Sequence, residues 1–80
     1  MTREEVLEGL KEILTAIRPN TDLSQATYST ELVRELGVDS LTMLVLSLAA
    51  EEKFGMHFPD GAPAPFTVGE VCDAVLAALN

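Results

Sequence analysis

The sequence predicts a small all-α bundle of three main helices, and three observations carry that prediction. Two capping boxes, Thr2-Arg3-Glu4-Glu5 and Thr67-Val68-Gly69-Glu70, each open an apolar stripe at helical spacing. Between them, Asp39 precedes an unbroken run of helix formers that reaches Phe54 and closes at Gly55. With 80 residues, 48% of them hydrophobic, the chain can bury one modest core, so 1–80 reads as a single domain.

In the first helix Thr2 is the N-cap and Glu5 reaches back to it. Val6, Leu7, Leu10, Ile13, Leu14 and Ile17 follow as a core-facing stripe. Pro19-Asn20 ends the helix, because proline biases the residue before it away from helical geometry and removes a donor. A long polar connection spans 20–38, and connections of that length tend to be functional or to hold a short element. Leu32, Val33 and Leu36 have the spacing of one or two helical turns, which is expected to pin the connection onto the core.

The second helix is expected to start where the Asp39 carboxylate accepts from the backbone N–H of Leu41 or Thr42, after a sharp turn that Gly37 allows. Ser40 then stands at the helix head with its hydroxyl in solvent. Leu41, Leu44, Val45 and Leu48 share one side of this helix, while Met43, Leu46, Ala50 and Phe54 occupy another. A bundle of this size cannot bury both sides, so the first set reads as a binding surface. Glu51 and Glu52 place charge near the last turn, and Gly55 closes it. Gly61, Pro63 and Pro65 within 56–66 predict a short or irregular third segment.

In the last helix Val68, Val71, Cys72, Val75, Leu76 and Leu79 form the stripe, and Phe66 is placed to staple onto Val71. Cys72 is a small buried hydrophobe in that stripe. The expected core is Leu10, Ile13, Leu14, Leu46, Ala50, Phe54, Val71 and Val75.

Charge and composition remove several function classes. A net charge of -8 with only five Lys and Arg argues against nucleic acid and for basic protein surfaces as partners. No calcium loop occurs, and a single cysteine allows neither an internal disulfide nor a multi-cysteine zinc site, so no metal is expected. A working thiol would have to come from a prosthetic group. No apolar run approaches the ~18 residues that span a membrane. The first residues lack a signal-peptide pattern, so a cytoplasmic monomer is expected. A hydrolytic role for Ser40 would need a nearby base and an oxyanion hole. The only histidine, His57, lies past the far end of the same helix, and no Gly-x-Ser-x-Gly elbow is present. Catalysis by the chain itself is therefore not expected. Unpaired N–H groups and the positive dipole end would instead favour a phosphate ester on Ser40, which makes it an attachment point.

Leu36-Gly37-Val38-Asp39-Ser40-Leu41, with Glu51-Glu52-Lys53-Phe54-Gly55 and Phe58-Pro59-Asp60, resembles the acyl carrier proteins, and the likeness extends over nearly the whole chain. The resemblance implies an acyl-carrier-like bundle. It also implies a covalent 4'-phosphopantetheine arm, derived from coenzyme A, on Ser40, with acyl groups carried on its thiol as thioesters. The implied partners are a phosphopantetheinyl transferase, an acyl-loading enzyme, and a ketosynthase or acyltransferase of the pathway. They would be met by Asp39, Leu41, Val45, Leu48, Glu51, Glu52 and Asp60. Two positions usually acidic in carriers of primary fatty-acid synthesis are here Thr42 and Val45, which points to a specialised polyketide-type pathway read through an apolar face. Two other readings stay open: a peptidyl or aminoacyl carrier, whose motif more often has His before the serine, and a helical adaptor in which Ser40 stays unmodified.

Overall fold

The Thr2 hydroxyl accepts from the Glu5 N–H at 3.2 Å, and the Glu5 carboxylate accepts from the Thr2 N–H at 2.8 Å. Both halves of the predicted capping box are thus made, and α1 (Arg3–Ile17) begins there. The computed structural model describes residues 1–59, 61 and 64–79. Two further helices complete it, α2 (Ser40–Phe54) and α3 (Val68–Leu79). The end of α1 follows from Pro19: Arg18 before it leaves helical geometry, with φ -133 and ψ 75. The second capping box also forms at the head of α3, where Glu70 N–H donates to Thr67 Oγ1 at 3.2 Å and Thr67 N–H to Glu70 Oε2 at 2.7 Å.

Helix α1 packs against both α2 and α3, which touch each other only slightly. Val6, Leu10, Ile13 and Leu14 of α1 meet Leu46 and Ala50 of α2 and Val68, Val71, Cys72 and Val75 of α3 in one core. A fully buried Leu or Val contributes about 1.5–3 kcal/mol relative to an exposed one. Among the described residues no helix is long and apolar enough to cross a membrane.

The connection between α1 and α2 supplies a further layer of this core. Glu35 N–H bonds to Glu31 O at 3.0 Å, Gly37 N–H to Val33 O at 3.1 Å and Val38 N–H to Leu32 O at 3.0 Å. This turn buries Leu32, Leu36 and Val38 and leaves Val33 exposed, so the expected pin consists of Leu32 and Leu36 without Val33. The connection is also stitched to the start of α3. Leu32 N–H donates to Phe66 O at 3.1 Å, Val68 N–H to Thr30 O at 2.9 Å and Gly69 N–H to Tyr28 O at 2.7 Å.

Three apolar residues sit differently from expectation. Phe54 is half-buried, its ring lying against α1 at Gly9, where an added Cβ would stand 2.6 Å from Cζ. The absence of a side chain at Gly9 is what makes room for the ring. Phe66 remains exposed, its backbone N–H held at 2.6 Å by Glu70 Oε2, instead of stapling onto the buried Val71. Leu79, on the last turn of α3, is partly exposed. Between α2 and α3 the described residues are irregular, in keeping with the predicted third segment.

Candidate functional site

Gly37 adopts φ +68, a left-handed conformation that side chains disfavour, and this lets the chain leave the Leu32–Leu36 turn and enter α2 abruptly. Asp39 is extended, with φ -94 and ψ -177, and its Oδ1 accepts the Thr42 N–H at 2.8 Å while its carbonyl accepts the Met43 N–H at 2.8 Å. Asp39 therefore serves two of the four N–H groups that open the helix. Those of Ser40 and Leu41 have no partner among the described residues. The Thr42 backbone bond, helped by the nearby Arg18 charge, holds the Asp39 carboxyl below its ordinary pKa, so it is ionised at neutral pH. Ser40 is the first residue of α2 and is exposed.

His57 is not placed to act as a base for Ser40. His57 lies beyond the C-terminal end of α2, and fifteen helical residues at 1.5 Å each place it about 20 Å from Ser40, far outside hydrogen-bond reach. The Cys72 thiol is buried, and burial raises its pKa, which marks it as unreactive. Among the described residues no cluster of three or more His, Cys, Asp or Glu is placed to hold a metal ion.

The outward side of α2 is apolar. Leu41 is 69% exposed, Leu44 56%, Val45 40% and Leu48 57%, while Leu46 and Ala50 on the opposite side are buried. This is the division between sides that the sequence implied. Glu52 is exposed on the same helix. Glu51 is turned elsewhere: its Oε2 accepts the Phe58 N–H at 2.8 Å and lies 2.9 Å from His57 Nδ1, tying the following loop to α2. Asp60 lies outside the described residues.

Two features add to the site residues expected from the sequence; the first bears out room for cargo beside Met43, while Ala50, also expected to line it, is buried in the core. One is a groove of about 740 Å³ between α2 and α3, whose apolar lining includes Met43, Leu46, Phe58, Val71, Ala74 and Ala78. Small alanines on α3 keep it open where larger residues would close it. The other is Arg18, whose guanidinium reaches the turn before α2: its Nη2 would stand 3.5 Å from a Cβ on Gly37, and its Nε is buried with no hydrogen-bond partner. A signal for Arg18 exists in the sequence, since the positions three and four residues before it are Thr15 and Leu14, so no helical carboxylate can pair with it.

Comparison with known proteins bears on this geometry. Residues 4–62 match the family described as "Phosphopantetheine attachment site". The chain is 37% identical over 78 residues to an acyl carrier protein of Acidothermus cellulolyticus, covering 94% of this chain and 89% of that one. It is 40% identical over 77 residues to an acyl carrier protein of Rubrobacter xylanophilus, covering 95% and 94%. A meromycolate extension acyl carrier protein of Mycolicibacterium smegmatis is 38% identical over 74 residues, covering 88% of this chain and 71% of its own.

Proposed function

The chain belongs to the acyl carrier proteins, which bear a covalent 4'-phosphopantetheine arm and deal with a phosphopantetheinyl transferase and acyl-handling enzymes, and we propose that Ser40 is where the arm is attached. The observation that carries this reading is the exposed Ser40 at the head of α2, directly after the capping Asp39. When bound, the arm supplies a thiol on which acyl groups ride as thioesters. The residues present fit such a group: the Ser40 and Leu41 N–H groups and the dipole of α2 favour a phosphate, and the Arg18 guanidinium reaches the turn at Gly37 that precedes them. In the transfer Ser40 Oγ forms the bond to phosphorus as the pyrophosphate bond of coenzyme A breaks, 3',5'-ADP leaves, and the hydroxyl proton passes to the transferase. The chain acts as one carrier domain over 1–80 and performs no catalysis of its own.

Around that point the chain's own surfaces divide the remaining work. The groove between α2 and α3 receives the apolar part of the cargo, its lining of Met43, Phe58 and alanines being adaptable or small. Leu41, Val45 and Leu48, neighbours at helical spacing, form the centre of the docking face, with Asp39 and Glu52 on its rim and Asp60 assigned there by sequence alone. Glu51 supports this face indirectly by holding the loop at Phe58. With Thr42 and Val45 where fatty-acid carriers usually have acids, the face suits a ketosynthase or acyltransferase of a specialised polyketide-type pathway. Intact-mass measurement after incubation with coenzyme A and a phosphopantetheinyl transferase tests the attachment. The wild type gains the mass of the arm and Ser40→Ala does not; a gain in the alanine variant refutes Ser40 as the site.

A further inference from the structure

Four of the five cationic side chains are paired. Arg3 lies 3.2 Å from Asp73, Lys11 4.0 Å from Glu8, Arg34 3.7 Å from Glu31 and Lys53 2.8 Å from Glu12. Arg18 is the exception among the described residues, with no carboxylate within 4.0 Å and with a buried Nε that no acceptor meets. A buried N–H without an acceptor is costly and calls for a reason. Proximity to the C-terminal dipole of α1 accounts for a positive charge at Arg18, but it leaves Nε unsatisfied. The Arg18 charge is felt by the Asp39 carboxyl, but the two do not close to an ion pair within 4.0 Å and Nε receives no acceptor from it. The guanidinium lies instead at the turn that delivers Ser40, with Nη2 3.5 Å from the Cβ position of Gly37.

We propose that Arg18 is the positioning residue for the phosphodiester at the root of the arm, an inference that rests on Ser40 as the attachment residue. A phosphodiester brings one negative charge to a chain already at -8, and the guanidinium fork offers the matching donors and charge. The end of α1 and the start of α2 thus share the anion: α2 contributes N–H groups and α1 contributes the cation. The root of the arm is thereby held against the seam between the two helices, and only the portion beyond the phosphate swings.

The test compares the protein before and after loading with the arm, with loading first verified by mass. In 15N-labelled wild type the Arg18 Nε–Hε resonance shifts on loading and its exchange with water slows. In the loaded protein the 31P resonance moves between wild type and Arg18→Gln. The rise in Tm expected on loading of wild type is lost in Arg18→Gln and partly kept in Arg18→Lys. A verified loaded protein in which the Nε–Hε and 31P signals are indifferent to each other's partner overturns the role of Arg18 while leaving Ser40 in place. Failure of the chain to gain the arm overturns both. The wild-type comparison needs no variant, so a poorly folding Arg18→Gln does not blunt the test.

Discussion

Helices α2 and α3 border the same groove, yet they use their apolar residues in opposite ways. Five of the twelve residues of α3 are buried, Val68, Gly69, Val71, Cys72 and Val75, and its exposed positions are small or charged apart from Leu79 on the last turn. Only two of the fifteen residues of α2 are buried, Leu46 and Ala50, while three leucines and a valine face water. Helix α3 is held by its packing. Helix α2 is held at its ends, by the Asp39 cap, the Gly55 C-cap and the Lys53–Glu12 pair, and by a narrow inner strip. Apolar surface that the core does not use is surface available to other proteins, and on this molecule it is concentrated beside Ser40.

The sharpest break of this contrast is within α2 itself. Leu46→Ala should cost about 2–5 kcal/mol in urea unfolding, whereas Leu48→Ala, half a turn away, should stay within about 0.5 kcal/mol. Equal costs would erase the distinction between the sides. Phe54→Ala is worth less than a fully buried aromatic, about 1.5–3 kcal/mol, because its ring is only half-covered against Gly9. On α3, Gly69→Ala should cost about 1–3 kcal/mol, since the new Cβ would stand 2.8 Å from the Tyr28 carbonyl oxygen, a backbone atom that cannot swing aside. Val45→Glu leaves folding intact and weakens the native acyl-transfer partner by more than about 1 kcal/mol, read from kcat/KM; unchanged kinetics would remove this side of α2 from recognition.

The smallest effect is that of acid. The Lys53 partner holds the Glu12 carboxyl below its ordinary pKa, as the Thr42 N–H does for Asp39. The unfolded chain then binds these protons more readily than the folded one. The stabilisation is present above the ordinary carboxylate range and is lost as pH falls through the lowered folded values. Tm measured against pH should fall less steeply in acid for Asp39→Asn and for Glu12→Gln than for wild type.

Local signals in the sequence were reliable where the structure depends on neighbours in the chain. Both capping boxes, the Asp39 cap and the breaks at Pro19 and Gly55 lie where spacing and residue type placed them. The two sides of α2 could be read because a helix fixes which residues share a face. Features that depend on distant chain were hidden. Val38 joins the core through its bond back to Leu32 O within the connection, and Phe66 is positioned by the pairing of its carbonyl with Leu32 N–H, neither of which any periodicity records. Arg18 was legible only as a residue without a helical partner, and its reach to the turn at Gly37 required the fold.

The backbone bonds from Leu32 to Phe66, Val68 to Thr30 and Gly69 to Tyr28 close a loop of chain that contains the whole of α2. Such a closure has a kinetic meaning. Its entropy is lost only when contacts of long sequence separation form, and contacts of that kind slow folding. The amide protons of Leu32, Val68 and Gly69, each donating across this closure, are expected to be among the most protected from solvent exchange, and hydrogen exchange measures this.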